Sequence, residues 1–307
     1  MVALLFPGQG SQFVGMGRDL AERFPEARAV FEEADDVLGL ALSRIMWEGP
    51  EEELTATLNA QPAILTHSVA VYRIVASRLG DVAFAAGHSL GEFSAYVAAG
   101  ALRFDDAVRT VRLRGELMYR SGEARPGTMA AILGLDDAAV EAVCRDASTE
   151  TEVCVPANYN SPGQLVISGD VQAVERAVEL AKAAGARRAV QLNVSGAFHS
   201  PLMAVAESGL AERLGEVALE RPAFPVVSNV TAGPVDDAAT ARRLLIQQLT
   251  SPVRWTSCMR TILDAGVNRF FELGPGSVLS GLLKRIDRGA EAVTLGTADE
   301  IEAFLQS

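Results

Sequence analysis

The sequence predicts an α/β protein in two parts, a large domain on a parallel, helix-covered sheet and a small α+β unit inserted into it. Three observations carry this: short apolar strands alternate with helical stretches over the first hundred residues, the rhythm returns near the carboxyl end, and a different order of elements separates the two. In the first part Ala3 to Phe6 reads as a strand, Arg18 to Leu38 carries helical spacing, and Val82 to Ala86 is again a strand. Between them Gln61 to Leu79 reads as a long helix, with Leu65, Val69, Tyr72 and Ala76 recurring at steps of four and three. Strands at Val226 to Asn229, Arg269 to Leu273 and Ala292 to Leu295 resume the pattern.

The interruption follows the Arg125 to Gly127 turn. Its order is strand (Thr128 to Leu133), helix (Asp136 to Ala147), strand (Glu152 to Ala157), a turn at Asn160 to Gly163, strand (Gln164 to Ser168), helix (Val171 to Ala184) and strand (Arg187 to Leu192). That β-α-β-β-α-β order is the split-βαβ, ferredoxin-like unit. The expected boundaries are therefore 1–125 with 195–307 for the large domain and 126–194 for the insert. The cleft between them is where a ligand site is expected.

The chain has 307 residues, 49% of them hydrophobic, and 27 Lys plus Arg against 39 Asp plus Glu give a net charge of −12. That is a globular composition with enough apolar material for a large core. The negative balance, with no basic run to offset it, argues against nucleic-acid and membrane-surface partners. Three unpatterned cysteines, Cys144, Cys154 and Cys258, fit neither a disulfide frame nor a metal site. Met1 to Phe6 is too short and uncharged for a secretory signal, and there is no apolar stretch of about 18 residues, so a cytoplasmic protein is expected.

The sharpest motif is Gly87-His88-Ser89-Leu90-Gly91, between the strand ending at Ala86 and a helix over Glu92 to Ala99. Glycines two before and two after the serine permit the tight turn that exposes a nucleophilic hydroxyl, and the helix amino end favours negative charge near it. A serine nucleophile needs a base, and there are three histidines. His88 adjoins the serine, where side chains diverge, and His67 lies inside a helix. His199, in the small-residue loop Ser195 to Pro201, remains; the plainer reading is a loop histidine capping the next helix. The loop Phe6-Pro7-Gly8-Gln9-Gly10-Ser11-Gln12 fails as a dinucleotide fingerprint because Phe13 stands where a third glycine should. It can instead present a backbone NH, so that Gln9 and Leu90 form an oxyanion hole; otherwise it is an ordinary strand-to-helix loop. On the helix over Phe104 to Arg120, Arg114 lies amid Ala107, Val111, Leu117 and Met118, so it must meet either a structural counter-ion or a substrate anion.

Seven segments in one order, Phe6 to Gln12 and the serine segment Gly87 to Glu92 together with Arg112-Leu113-Arg114-Gly115, Asn158 to Gln164, Ala197-Phe198-His199, Gln248-Leu249 with Pro252 to Trp255, and Glu272 to Gly276, resemble the malonyl-CoA:acyl carrier protein transacylases. The sequence also resembles the related acyltransferase domains of polyketide synthases, whose malonyl-selective members carry His-Ala-Phe-His where this chain has Gly196-Ala197-Phe198-His199. The resemblance spans essentially the whole chain and implies a hydrolase-like α/β domain carrying a ferredoxin-like insert. It implies Ser89 as nucleophile, His199 as base, Arg114 as binder of the malonyl carboxylate, and the Gln9 and Leu90 amides as the oxyanion hole. It adds Gln248, orienting His199 through a carbonyl oxygen, and His88 and Asn160 as site-lining residues. An uncharged partner for His199 suits an anionic substrate, because a carboxylate there would repel malonate and favour attack by water. Phe198, before the base, would close the space an α-methyl group needs. Malonyl-CoA and acyl carrier protein are then the partners, with no metal or bound cofactor and the protein acting as a monomer. Because carrier proteins are acidic, docking requires a local basic patch, for which Arg187, Arg188, Lys284 and Arg285 are the candidates. The competing class is a serine esterase or thioesterase of the α/β-hydrolase type, and a non-catalytic carrier-docking module is a remote third.

Overall fold

The computed structural model describes residues 1–194 and 196–306; Ser195, where the expected boundary falls, and Ser307 lie outside the described residues. Among the described residues there are ten strands: β1 (Val2–Phe6), β2 (Val82–Gly87), β3 (Gly127–Leu133), β4 (Cys154–Ser161), β5 (Gln164–Asp170), β6 (Arg188–Gln191), β7 (Val226–Val227), β8 (Pro234–Val235), β9 (Arg269–Leu273) and β10 (Glu291–Leu295). They make two sheets, one in the order β10-β9-β1-β2-β7-β8 and one in the order β4-β5-β3-β6. The first is parallel except for β8, which runs against β7, and the second is wholly antiparallel. The protein is thus a mixed α/β fold with a parallel sheet and a separate antiparallel one.

Burial explains the parallel sheet. Val2 to Phe6 are buried throughout, as a strand covered by helices on both faces requires. The flanking strands β2 and β7 are neighbours although β3 to β6 separate them in sequence. The second sheet packs its apolar face, including Ala130, Ile132, Leu165 and Ile167, against the helices Asp137–Ala147 and Val171–Ala183. Its edge strand β4 is laced to the first layer by backbone, with the Val253 amide donating to Ala157 and the Tyr159 amide donating to Val253.

Several sequence expectations shift. Arg18 to Leu38 is two helices, Arg18–Arg23 and Pro25–Leu38, because Pro25 cannot continue the first and Phe24 before it is extended. The long helix runs over Thr57–Val75 and ends in a 3-10 turn at Ala76–Arg78. Pro62 inside it cannot bond the Leu58 carbonyl, and Arg112 donates to that oxygen instead. Ser161 pairs with Gln164, so β4 continues through Asn160 and the turn shrinks to Pro162-Gly163. Strand β7 stops at Val227, leaving Asn229 outside the ladder.

Candidate active site

The glycines of the turn after β2 are required by contact. A Cβ on Gly87 would lie 1.9 Å from the carbonyl of Gly91, and one on Gly91 would lie 2.1 Å from the carbonyl oxygen of Phe6. Between them Ser89 holds a φ of 52°, a strained conformation for a residue with a side chain. The helix Gly91–Ala98 starts immediately behind.

Ser89 Oγ lies 2.8 Å from His199 Nε2. His199 Nδ1 faces the main-chain carbonyls of Gln248 at 3.0 Å and Ser251 at 3.2 Å. Two acceptors on that side hold the proton on Nδ1, so Nε2 is left to accept from the serine hydroxyl. Burial, reinforced by the positive charge of Arg114, pushes the imidazole down to about 3 and keeps it neutral. A serine so placed can be deprotonated as it attacks a carbonyl.

Arg114 is 1% exposed. It donates to Gln61 Oε1 at 2.7 Å, to Gln248 Oε1 at 2.9 Å and to Ser89 Oγ at 3.1 Å. No carboxylate among the described residues reaches it at ion-pair distance, so every direct partner is neutral. Its pKa is lowered to about 10 by burial. The helix Phe104–Ala124 can bring it there because Gly115 sits against Leu58, where a Cβ would lie 2.7 Å from the Leu58 Cα.

The two loops meet the same way. A Cβ on Gly8 would lie 2.4 Å from the His88 carbonyl oxygen, so the Gly8 loop rests directly on the Ser89 turn. Gln9 and Leu90 line one cavity with Ser89, Arg114 and His199, and its volume is about 240 Å³. The main-chain amides of Gln9 and Leu90 donate to no acceptor among the described residues. The Gln9 side chain turns away to Thr57. His88 donates from Nε2 to Asn160 Oδ1 at 2.8 Å, and Phe198 is buried on the cavity wall.

Gln248 meets His199 through a carbonyl oxygen, as the resemblance implies, but not in the way the uncharged-partner argument needs. The oxygen that meets His199 is its main-chain carbonyl, so the neutrality of that partner does not depend on the side chain. The carboxamide is used elsewhere: Oε1 accepts from Arg114, while Nε2 donates to Glu92 Oε2 at 2.7 Å and to the Ser89 carbonyl at 3.1 Å. A glutamate at 248 would therefore be set against Glu92 rather than against the imidazole.

Sequence reasoning missed Asn229 and Glu92. Asn229 Oδ1 accepts from the Ser89 amide at 2.7 Å, and its Nδ2 donates to the Gly87 carbonyl at 2.8 Å, tying both ends of the strained turn. Nothing local marks Asn229, because its partners lie some 140 residues away. Of the four basic residues, Arg188 and Arg285 are tied to the cavity through Gln164, whereas Arg187 and Lys284 touch none of its lining. Arg188 and Gln164 both pair with Leu133, so the three share one row and one face of the second sheet. Gln164 lines the cavity and accepts a hydrogen bond from Arg285; Arg187, Arg188, Lys284 and Arg285 are all exposed.

Residues 3–300 match the acyl transferase domain family. The chain is 48% identical over 306 residues to the malonyl CoA-acyl carrier protein transacylase of Bacillus subtilis (strain 168), covering 100% of this chain and 96% of that one. It is 45% identical over 305 residues to the protein of that name from Escherichia coli (strain K12), covering 99% and 98%. Among solved structures it is similar to an acyl carrier protein S-malonyltransferase from Vibrio cholerae, with a TM-score of 0.95 and 45% identity over 98% of this chain and 99% of that one. It is also similar to a malonyl-transacylase solved in complex with its type II PKS acyl-carrier protein, with a TM-score of 0.94 and 44% identity over 99% of each chain. Fold, motif order and full-length similarity agree, and the chain belongs to the acyl transferase domain family.

Proposed function

We propose that the protein transfers a malonyl group from malonyl-CoA to the phosphopantetheine thiol of an acyl carrier protein through a malonyl ester on Ser89. The observation that carries this reading is a single hydroxyl with two neighbours, His199 Nε2 at 2.8 Å and Arg114 Nη2 at 3.1 Å. The first is a base. The second is a buried cation without a direct counter-ion, close enough to the nucleophile to hold a carboxylate one methylene away from the carbonyl under attack.

In the first half-reaction His199 Nε2 takes the Ser89 proton as Oγ bonds to the thioester carbon. The amides of Gln9 and Leu90 are the groups available to the oxyanion. Collapse breaks the carbon–sulfur bond, and the imidazolium returns its proton to the departing coenzyme A thiolate. In the second half-reaction the carrier thiol gives its proton to His199 and attacks the ester, and Ser89 leaves with that proton. These steps use no cofactor, since the coenzyme A thioester is itself a substrate. The Gln248 and Ser251 carbonyls orient the imidazole, and His88, Asn160 and Phe198 line the acyl site.

In this reading residues 1–125 and 195–307 form a hydrolase-like domain and 126–194 a ferredoxin-like insert that closes the cavity, the whole acting as a cytoplasmic monomer. Arg187, Arg188, Lys284 and Arg285 form the carrier's landing rim. No helix among the described residues is long and apolar enough to cross a membrane. Incubation with malonyl-CoA followed by intact mass measurement tests the reading. A malonyl adduct that persists and disappears on adding carrier protein is expected, whereas rapid release of free malonate would favour an esterase.

A further inference from the structure

The helix behind Ser89 carries Glu92, wholly buried beneath the turn. Its two oxygens are used unequally. Oε2 accepts from Gln248 Nε2 at 2.7 Å and from the Asn229 amide at 3.1 Å, while Oε1 has no partner among the described residues. Through Gln248, whose Oε1 accepts from Arg114, the carboxyl is linked to the buried guanidinium by one carboxamide. Through Asn229 it is linked to the Ser89 amide.

This asymmetry has a chemical consequence. A proton placed on Oε1 leaves both hydrogen bonds to Oε2 intact, so Glu92 can change charge without changing the shape of the site. An ionised Glu92 also fixes the Gln248 carboxamide, because only Nε2 can face a carboxylate. That leaves Oε1 toward Arg114.

We infer that Glu92 is the positioning residue and proton-linked counter-charge of Arg114: ionised, it offsets the guanidinium through Gln248; protonated on Oε1, it leaves that charge for an acyl carboxylate. The inference rests on the proposed docking of the malonyl carboxylate on Arg114. Burial raises the Glu92 carboxyl to about 7, opposed by its hydrogen bonds to Gln248 and Asn229, by the Arg114 charge and by the nearby Ser228 hydroxyl, so the change falls in an accessible range. The other titratable groups facing it are Tyr96 on its own helix and Cys258 on the helix Trp255–Asp264. Burial pushes both up, so they stay neutral while Glu92 titrates.

The test is the ratio of kcat/KM for malonyl-CoA to that for acetyl-CoA, followed between about pH 5.5 and 8.5. Titration of His199 and of the coenzyme A phosphates affects both substrates and cancels in the ratio. In the wild type the ratio should fall by about ten- to fiftyfold as Glu92 ionises, the scale of one unit charge acting across a buried carboxamide. Glu92→Gln imitates the protonated acid, so its ratio should stay high and flat across the range. A wild-type ratio independent of pH, or a Glu92→Gln ratio that follows the wild-type curve, overturns the inference. If Glu92→Gln does not fold, the wild-type profile decides alone. Arg114→Ala separates this from the underlying reading: a ratio that collapses supports carboxylate binding at Arg114, and a ratio that survives removes that reading together with this inference.

Discussion

The floor and the mouth of the cavity are held in opposite ways. At the floor Ser89, His199, Arg114, Gln248, Asn229 and Glu92 are joined by hydrogen bonds of 2.7 to 3.1 Å, and all but Ser89 are buried. At the mouth Arg188 and Arg285 are exposed. Charge in the floor is scarce and desolvated, so moving it changes rates by orders of magnitude. At the mouth it is solvated and screened by salt, and it acts on encounter more than on chemistry. Substitutions should rank accordingly.

The largest effects belong to Ser89→Ala and His199→Ala. Both residues serve the chemical step, so each variant should lose several orders of magnitude in transfer, and the double variant should be little worse than either. Steady-state kinetics on folded protein, checked by circular dichroism, measures this. A malonyl adduct surviving in Ser89→Ala would remove the nucleophile from the account.

Arg114→Ala comes next and tests whether the charged part of the floor selects substrate. Losing charge-assisted hydrogen bonds to the malonyl carboxylate should lower malonyl transfer by about two to three orders of magnitude, roughly 3 to 4 kcal/mol. Acetyl transfer should hold or rise, since acetyl gains nothing from the guanidinium. Equal loss with both substrates would reduce Arg114 to a scaffold for Ser89 and Gln248.

The pH profile sharpens the same contrast. An exposed imidazole titrates near 6.5, whereas His199 is held down to about 3 by burial and by Arg114. The acid limb of kcat/KM for malonyl-CoA, which reports the free enzyme, should therefore lie well below pH 6.5. Bound malonate offsets the Arg114 charge, so the acid limb of kcat should lie at higher pH than that of kcat/KM. The same depression makes His199 a stability term that is present above pH 6.5 and lost as pH falls toward the folded value. Coincident limbs near 6.5 would mean an imidazole open to water.

Floor and mouth also differ in how far the sequence reveals them. The Ser89 turn is legible because its two glycines mark it in the sequence: a Cβ on Gly87 would meet Gly91 within the turn at 1.9 Å, and one on Gly91 would meet Phe6 of the neighbouring strand at 2.1 Å. Arg114 is legible because helical periodicity places it among apolar neighbours. Asn229 is not, since it acts through partners from distant segments and breaks no local pattern; Glu92 carries the same kind of signal as Arg114, being the one charge in the apolar helix Gly91–Ala98, but its partners Gln248 and Asn229 are distant and its role does not follow from that signal. The Gln248 carbonyl shows the same limit from the other side, because no residue-level pattern separates a side-chain oxygen from a main-chain one. The boundaries that shifted did so where pairing outweighed a turn signal, as at Asn160, or where Pro25 outweighed helical spacing.

The smallest effect should come from the mouth. Arg188 and Gln164 flank Leu133 on one row, so their Cα atoms stand roughly 10 Å apart across two strand spacings, and Arg285 reaches Gln164 from the helix Val278–Ile286. Arg188 and Arg285 thus approach one rim although they come from segments about a hundred residues apart. With a net charge of −12 the protein as a whole repels an acidic carrier, so in the proposed docking the rim supplies the local attraction. Reversing Arg188 and Lys284 to Glu should raise KM for the carrier by about tenfold at low salt and much less at about 0.5 M salt, where the Debye length is only a few ångströms. The burst of malonyl-enzyme formation from malonyl-CoA should keep most of its rate, because that half-reaction does not involve the carrier. A loss that is independent of salt and equal in both half-reactions would point to a disturbed fold, and undiminished use of the carrier would place its landing site on another face.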